Sequence, residues 1–407
     1  MDFLATPLRR RILFTALYLS EGAPIGFLWL ALPTWLRAAG TPIEQIAWLG
    51  SILVVPWTFK FVWAPTVDVL RSSRWTLKHW VLGAQIVMGL ALCPLLWFDL
   101  HDQLSLVTPF LIVHAFAAAT QDVAIDALCI SVTAQSERGR LNGWMQSGML
   151  AGRAAMGGGA LIMSSHIGDT AVVVLLIAVT TFSGALLLMS RLPEGSADLS
   201  MAPSLRRRVA ATWAKLGTAL RQRNTQLGLL FALVAPAAFK SFEVVVGPFL
   251  IDREYSESEI GQFTAVVMIG AMVAGSVIGG VLADYFRRRA FVSASLYFVI
   301  AMITLLALLD LAFAEKRGPH LSVAIGLIAF GIGLFTVAAY AMYMDFTIPE
   351  VAATQFSAFM GATNGCEAWS TLFIGMLIAA GGYPFGMVVL CGVSALALPL
   401  LAFTESV

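Results

Sequence analysis

Residues 105–134 read SLVTPFLIVHAFAAATQDVAIDALCISVTA. The hydrocarbon core of a bilayer is about 30 Å thick, and about 20 helical residues cross it. This run has that length and is apolar almost throughout, so it reads as a membrane-spanning helix. Within it stand Asp122 and Asp126, one helical turn apart. An aspartate at the centre of a span costs about 2.5–3.5 kcal/mol on insertion scales. Two of them on one face exclude a helix bathed in lipid. They require other helices or water on the aspartate side, and hence a bundle of spans.

The rest of the chain carries the same signature. Of its 407 residues 59% are hydrophobic and 12% charged, against about 25% charged in an ordinary soluble protein. This is the composition of an all-α polytopic membrane protein. A net charge of +1 leaves no basic face for nucleic acid. Cys93, Cys129, Cys366 and Cys391 lie far apart in apolar runs. They form neither a disulfide framework nor a metal-ligand spacing and read as packing residues. No metal, cofactor or catalytic set is expected. The N-terminal MDFLATPLRRR enters a long span with no small-residue cleavage site, so it is read as a retained first helix.

A 20-residue ruler yields twelve spans, at about 12–37, 43–69, 79–98, 106–131, 139–163, 170–190, 226–251, 258–286, 290–312, 320–346, 352–378 and 383–403. Eighteen Lys or Arg then fall in segments on the side of the N-terminus, and four (Arg37, Arg253, Lys316, Arg317) on the other. That bias places both termini in the cytoplasm. The one long polar stretch, 192–225, separates a six-helix bundle at 1–191 from another at 226–407. Its part from Leu205 to Leu220 reads either as a basic amphipathic helix on the membrane surface or as a solvated linker. The halves repeat: Pro33 recurs as Pro248, Asp68 as Asp284 and Glu137 as Glu350, each a little more than half the chain later. A nearly constant offset indicates duplicated halves.

Twelve spans, a basic central loop and Asp-plus-Arg turns after spans two and eight resemble the major facilitator superfamily. GGVLADYFRRR (279–289) fits the family's glycine-rich turn better than DVLRSSR (68–74). The resemblance implies that Asp68, Arg71, Asp284, Arg287 and Arg288 act in gating. Such charge-assisted latches break as the halves rock, and the arginines also fix topology. Four stretches are similar to the muropeptide permease (AmpG) family, to the related siderophore-uptake permeases and, more distantly, to acetyl-CoA transporters. They are PWTFKFVWAPTVD (56–68), ATQDVAIDA (119–127), SERGRLNGWMQSGMLAGRAAMGGG (136–159) and ATQFSAF (353–359). SEGAPIGF (20–27) has that family's Gly-x-Pro kink, with Glu21 where a neutral residue is expected.

Eight ionisable residues lie well inside spans: Glu21, Lys60, Asp122, Asp126, Arg153, Lys240, Glu243 and Glu367. They avoid spans three, six, nine and twelve, which the facilitator fold makes peripheral, so the resemblance puts them around water. Five acids face three bases. At least one acid is therefore expected to be protonated, or paired with a bound cation, for part of a cycle. Asp126, Asp122 and Glu21 are the proton-coupling candidates, the two aspartates repelling at i, i+4, and Glu21 is equally a site for an amine of the solute. Arg153 is expected to pair with one aspartate and leave the other to titrate; a static clamp fits the spacing equally. Lys60 reads as an anchor for an anionic solute or as a partner of span four. Lys240 and Glu243, at i, i+3, read as mutually neutralising or as solute contacts. Asn364 and Glu367 share a face of span eleven as a wall for solute. Gln121 and Gln355 read as interhelical hydrogen-bonders or solute contacts. Tyr340, with Trp29, Trp144, Tyr343 and Trp369, stacks on a solute or packs. His114 reads as a packing histidine.

The function expected from these residues and the resemblance is a proton-coupled permease, working by symport and importing a bulky polar solute of muropeptide or siderophore type. It would sit as a monomer in the inner membrane, with protons, a small-molecule solute and the lipid bilayer as its partners. A proton-driven exporter shares these features. An intramembrane hydrolase would need carboxylates converging from separate helices, and no GxSxG or HExxH accompanies the aspartates.

Overall fold

The computed structural model describes residues 2–69, 75–98, 103–133, 135–190, 217–218, 221–313, 317–347 and 352–404. Within these, the side chains at 65, 66, 68, 69, 135–140, 142, 284 and 352–354 are outside the description. The described elements are all helices. In hydrocarbon each backbone N–H and C=O needs a partner inside its own segment, and a helix supplies it.

Ten helical segments among the described residues are long and apolar enough to cross a bilayer. One of them, Gln355–Ala402, is 48 residues long and turns at Gly382 (φ 81°), so it holds spans eleven and twelve. Span five, Gln135–Met156 continued by Gly158–Ile167, is too polar to stand out by hydropathy. Counting both returns the twelve of the sequence reading. The surface helix considered for 205–220 falls outside the described residues except for Gly217 and Thr218.

Local chemistry sets the ends. Pro7 opens span one, where Thr6 Oγ1 accepts from the Arg9 N–H, because proline at the first helical position forfeits no hydrogen bond. Ser256 and Glu259 form a reciprocal cap at the start of span eight. Span one contains Pro24, followed by a π-helical stretch, Phe27–Ala31. Gly168 and Gly382, both at φ 81°, turn the chain between spans five and six and between spans eleven and twelve. A side chain is strained at that dihedral and glycine is not. These two turns are separated along the chain as Pro33 and Pro248 are, to within one position, so they belong to the sequence repeat.

The chain forms two compact units, Met1–Leu32 with Val62–Arg208, and Pro33–Phe61 with Val209–Val407. In the first unit spans one and five run parallel, backbone against backbone. A Cβ on Gly22 would overlap the Met149 carbonyl, one on Gly26 the Arg153 carbonyl, and one on Gly148 the Thr15 carbonyl. Gly152 lies as tightly on Leu19. Such small-residue seams let transmembrane backbones approach closely. The parallel sense requires an odd number of crossings between them, as spans two, three and four provide. Ser20, Ser183 and Gln85 add a buried hydrogen-bonded knot of spans one, six and three. His114, fully buried, meets the Met88 carbonyl through Nδ1 at 3.0 Å.

The second unit has its own seam between spans eight and ten, where Gly275 lies on the Phe330 carbonyl and Gly333 on the Met272 carbonyl. Here too residues 43–61 of span two run antiparallel along span eleven. Gly375 lies on Ala47, Ser51 donates to the Ala368 carbonyl at 2.7 Å, and Gly361 lies on Thr58.

Candidate functional site

In the first unit, the polar centre forms around Tyr18. Its hydroxyl donates to Asp126 Oδ1 at 2.6 Å, and the charges of Glu21 and Asp122 act on the same hydroxyl. The backbone explains the convergence: Tyr18 and Glu21 are i, i+3 on span one, and Asp122 and Asp126 are i, i+4 on span four. Glu21 is 2% and Asp122 7% exposed, while Asp126 lies at the unit's surface. Two carboxylates are thus enclosed and a third is accessible, with a hydroxyl between spans one and four. Arg153 stands half-buried on span five, its backbone pressed against Gly26. Gln121 is fully buried with neither amide atom hydrogen-bonded, so it does not tie helices together. Gln355 does, donating to Thr225 Oγ1 at 2.7 Å and to the Phe346 carbonyl at 3.0 Å.

In the second unit, the polar centre forms around Lys240. Its ammonium is 2.7 Å from Glu367 Oε2 and 3.8 Å from Glu243 Oε2. The sequence spacing made Glu243 the natural partner. The closer one is Glu367 on span eleven, because the inward face of span seven turns Lys240 toward that helix. Tyr340 on span ten also acts on the ammonium. Asn364, one turn before Glu367, donates to the Trp57 carbonyl at 3.4 Å. Lys60 is half-buried on span two, within this second unit. Tyr343 is 1% exposed and stacked on Phe359 at 4.9 Å, which makes it a packing residue. Trp369 donates to the Leu233 carbonyl at 2.9 Å.

A second ionic group sits at the end of span one. Arg37 makes a two-pronged pair with Asp252, both arms at 2.7 Å, and Asp252 also accepts from the Tyr383 hydroxyl at 2.9 Å. Arg253 pairs with Asp310 through both arms and lies over the Phe249 ring. Sequence reasoning counted these arginines only as loop charge. Arg37 and Arg253 are separated by the same interval as Asp68 and Asp284, and that repeat offset was the available signal. For Tyr18 it was the shared face with Glu21.

Of the gating set, Arg71 and the side chains of Asp68 and Asp284 lie outside the described residues. Arg287 is exposed. Arg288 pairs with Asp345 at 3.0 Å and donates to the Ala283 carbonyl. Among the described residues no group of three or more His, Cys, Asp or Glu could hold a metal ion, and the four cysteines are unbridged.

The sequence pattern described as Major Facilitator Superfamily matches residues 14–365. The anhydromuropeptide permease of Escherichia coli (strain K12) is 22% identical over 388 residues, covering 91% of this chain and 77% of the permease. A Rickettsia conorii protein named putative transporter AmpG 4 is 21% identical over 374 residues, 89% of this chain and 88% of its own length. Among solved structures, a D-xylose–proton symporter matches with a TM-score of 0.75 at 11% identity, over 97% of each chain. The nucleoside transporter NupG matches with 0.72 at 14% identity over the full length of both. Likeness at such identities establishes the fold and says nothing of the solute.

Proposed function

The chain belongs to the major facilitator superfamily, and from that premise we propose that it is a proton-coupled importer of a bulky polar solute of the muropeptide type. That it is a multi-pass membrane transporter rather than an enzyme follows from the family and from its relatives. Coupling, direction and solute are the proposal. The observation that carries it is the Tyr18 centre, where Asp126, Asp122 and Glu21 act on one hydroxyl between spans one and four. Asp126, accessible and beside two enclosed carboxylates, is the group proposed to exchange a proton. Each charge moved through the membrane potential supplies about 2.3 kcal/mol per 100 mV. The similarity to a permease for anhydromuropeptides favours uptake of that class over siderophores, and uptake over export.

In this reading residues 1–191 and 226–407 are two bundles joined by 192–225, with both termini cytoplasmic and the monomer as working unit. Asp126, Asp122 and Glu21 carry the proton. Lys60, Gln121, Arg153, Lys240, Glu243, Tyr340, Asn364 and Glu367 contact solute, with Glu21 serving both roles. Asp68, Arg71, Asp284, Arg287 and Arg288 gate one end.

Uptake of an anhydromuropeptide into proteoliposomes under an imposed pH gradient tests the proposal. Accumulation should follow the gradient, and Asp126→Asn should abolish that response while the protein still folds. Accumulation indifferent to the gradient would sink proton coupling. Solute leaving as protons enter would establish the exporter instead.

A further inference from the structure

We infer, on the footing of the transport cycle proposed above, that the Arg37–Asp252 pair is a reversible latch. It parts when the end of the molecule opposite the N-terminus opens, while the neighbouring Arg253–Asp310 pair stays closed throughout. Arg37 ends span one, in the first half of the sequence repeat, and Asp252 follows span seven in the second. Among the described residues, the other ion pairs at this end, Arg253–Asp310 and Arg317–Glu259, join residues of 226–407 to one another. When residues 33–61 leave spans seven and eleven, Arg37–Asp252 has to break and those two do not. The rest of that contact is flat. Gly50 faces Val244 and Thr371 side chains, Gly375 lies on Ala47, and Ser51 meets the Ala368 carbonyl. Small residues part without unlocking long side chains, so the two-pronged pair is the specific restraint.

Exposure separates the two arginine pairs. The side chains of Arg37 and Asp252 are 26% and 22% exposed, those of Arg253 and Asp310 9% and 5%. Charges already in contact with water regain hydration as they separate, and enclosed ones do not. Arg253 is also held over the Phe249 and Tyr383 rings, at 4.5 and 5.2 Å. The latch has a further property. Arg37 Nη1 donates to the Thr41 carbonyl of its own hairpin at 3.2 Å, and Asp252 Oδ2 accepts from the Tyr383 hydroxyl at 2.9 Å. Each charge thus keeps a hydrogen bond on its own side after the pair has parted. Breaking an ion pair is costly chiefly when a charge is left bare, and here neither is. Tyr383 is a positioning residue in this device: it holds Asp252 in the open state and leaves the closed state to Arg37.

The test uses the full chain in liposomes, with its four cysteines replaced by alanine and spin labels at Ala39 and Ala380. These are exposed positions just after span one and just before the Gly382 turn. Pulsed electron resonance reads a shorter, latched distance and a longer, parted one. Asp252→Asn and Arg37→Gln should each raise the ratio of parted to latched molecules about tenfold. Arg37→Asp combined with Asp252→Arg should bring the ratio back toward that of the parent. Asp310→Asn should not raise it. Tyr383→Phe removes a bond that counts most once Arg37 has left, so it should lower the ratio about threefold. A pair that only stabilises the fold would move Tyr383→Phe in the same direction as Asp252→Asn.

An unchanged ratio in both single variants overturns the latch. A ratio raised by Tyr383→Phe overturns its holding role, and one raised as far by Asp310→Asn as by Asp252→Asn overturns the division between the pairs. Where a single variant fails to fold, the exchanged pair and Tyr383→Phe still decide, because neither removes a charge from the pair. An exchanged pair with a ratio about tenfold above the parent then overturns the latch. No solute or pH gradient enters the measurement, so failure of the latch and failure of proton-coupled uptake are separate results.

Discussion

Spans one and five of the first half correspond, in the repeat, to spans seven and eleven of the second. On these paired helices the charges are exchanged. In the first half the acid Glu21 is on span one and the base Arg153 on span five. In the second the base Lys240 is on span seven and the acid Glu367 on span eleven. Arg153 and Glu367 are separated by the same interval as Gly168 and Gly382, so they occupy equivalent positions. Lys240 lies one turn beyond the position equivalent to Glu21. Packing differs too. Spans one and five touch through glycine backbones, whereas Gly365 of span eleven faces only the side chains of Leu233 and Thr58. A duplicated scaffold has kept its turns while its polar chemistry diverged, one half gathering carboxylates on a hydroxyl and the other on an ammonium.

Glu367→Ala leaves Lys240 with the more distant Glu243, and the expected loss is about 1.5–3 kcal/mol of stability, read from denaturant unfolding of the full chain. Exchanging the pair, Lys240→Glu with Glu367→Lys, should recover much of that loss but not uptake. An exchanged protein as unstable as the single variant would mean that the two side chains do not stabilise each other.

Next is the seam: Gly152→Val should cost about 1–3 kcal/mol because backbone cannot move aside, while Gly365→Val should cost less than about 1 kcal/mol. Equal losses would erase the packing difference. Tyr18→Phe removes the donor to a surface carboxylate, and about 1 kcal/mol is expected, with slower uptake. The smallest effect belongs to Arg288→Ala. Its pair with Asp345 is about a third exposed on each side, so about 0.5 kcal/mol or less is expected, vanishing in high salt.

Much of the architecture was legible in the sequence because the solvent for these helices is lipid, and long apolar runs have one reading there. Span five needed the count and the loop charges, since Arg153 and its polar neighbours dilute its hydropathy. The carboxylates of the Tyr18 centre were visible as misplaced charges. Their common partner was not singled out, although spacing put Tyr18 on the face of Glu21. The Lys240 pairing was not legible for a physical reason. Spacing along one helix predicts Glu243, but which neighbour a side chain meets depends on the rotation of span seven against span eleven. Arg37 with Asp252 was hidden similarly, since pairing across 215 residues leaves no local pattern.

Residues 33–61 pack within the second unit, and this has a consequence for how the protein is made. Ser51 finds its acceptor 317 positions later in the chain. At about 5–20 residues per second, ribosomal synthesis takes about 15–60 s to cover that distance. The first hairpin therefore enters the membrane long before its final neighbours exist. During that interval Ser51 lacks the acceptor it will keep, and for the earlier part of it Arg37 has the Thr41 carbonyl but not yet Asp252. The order of synthesis and the order of packing are different sequences of events, and a chain stalled before span eleven would expose this hairpin to quality control.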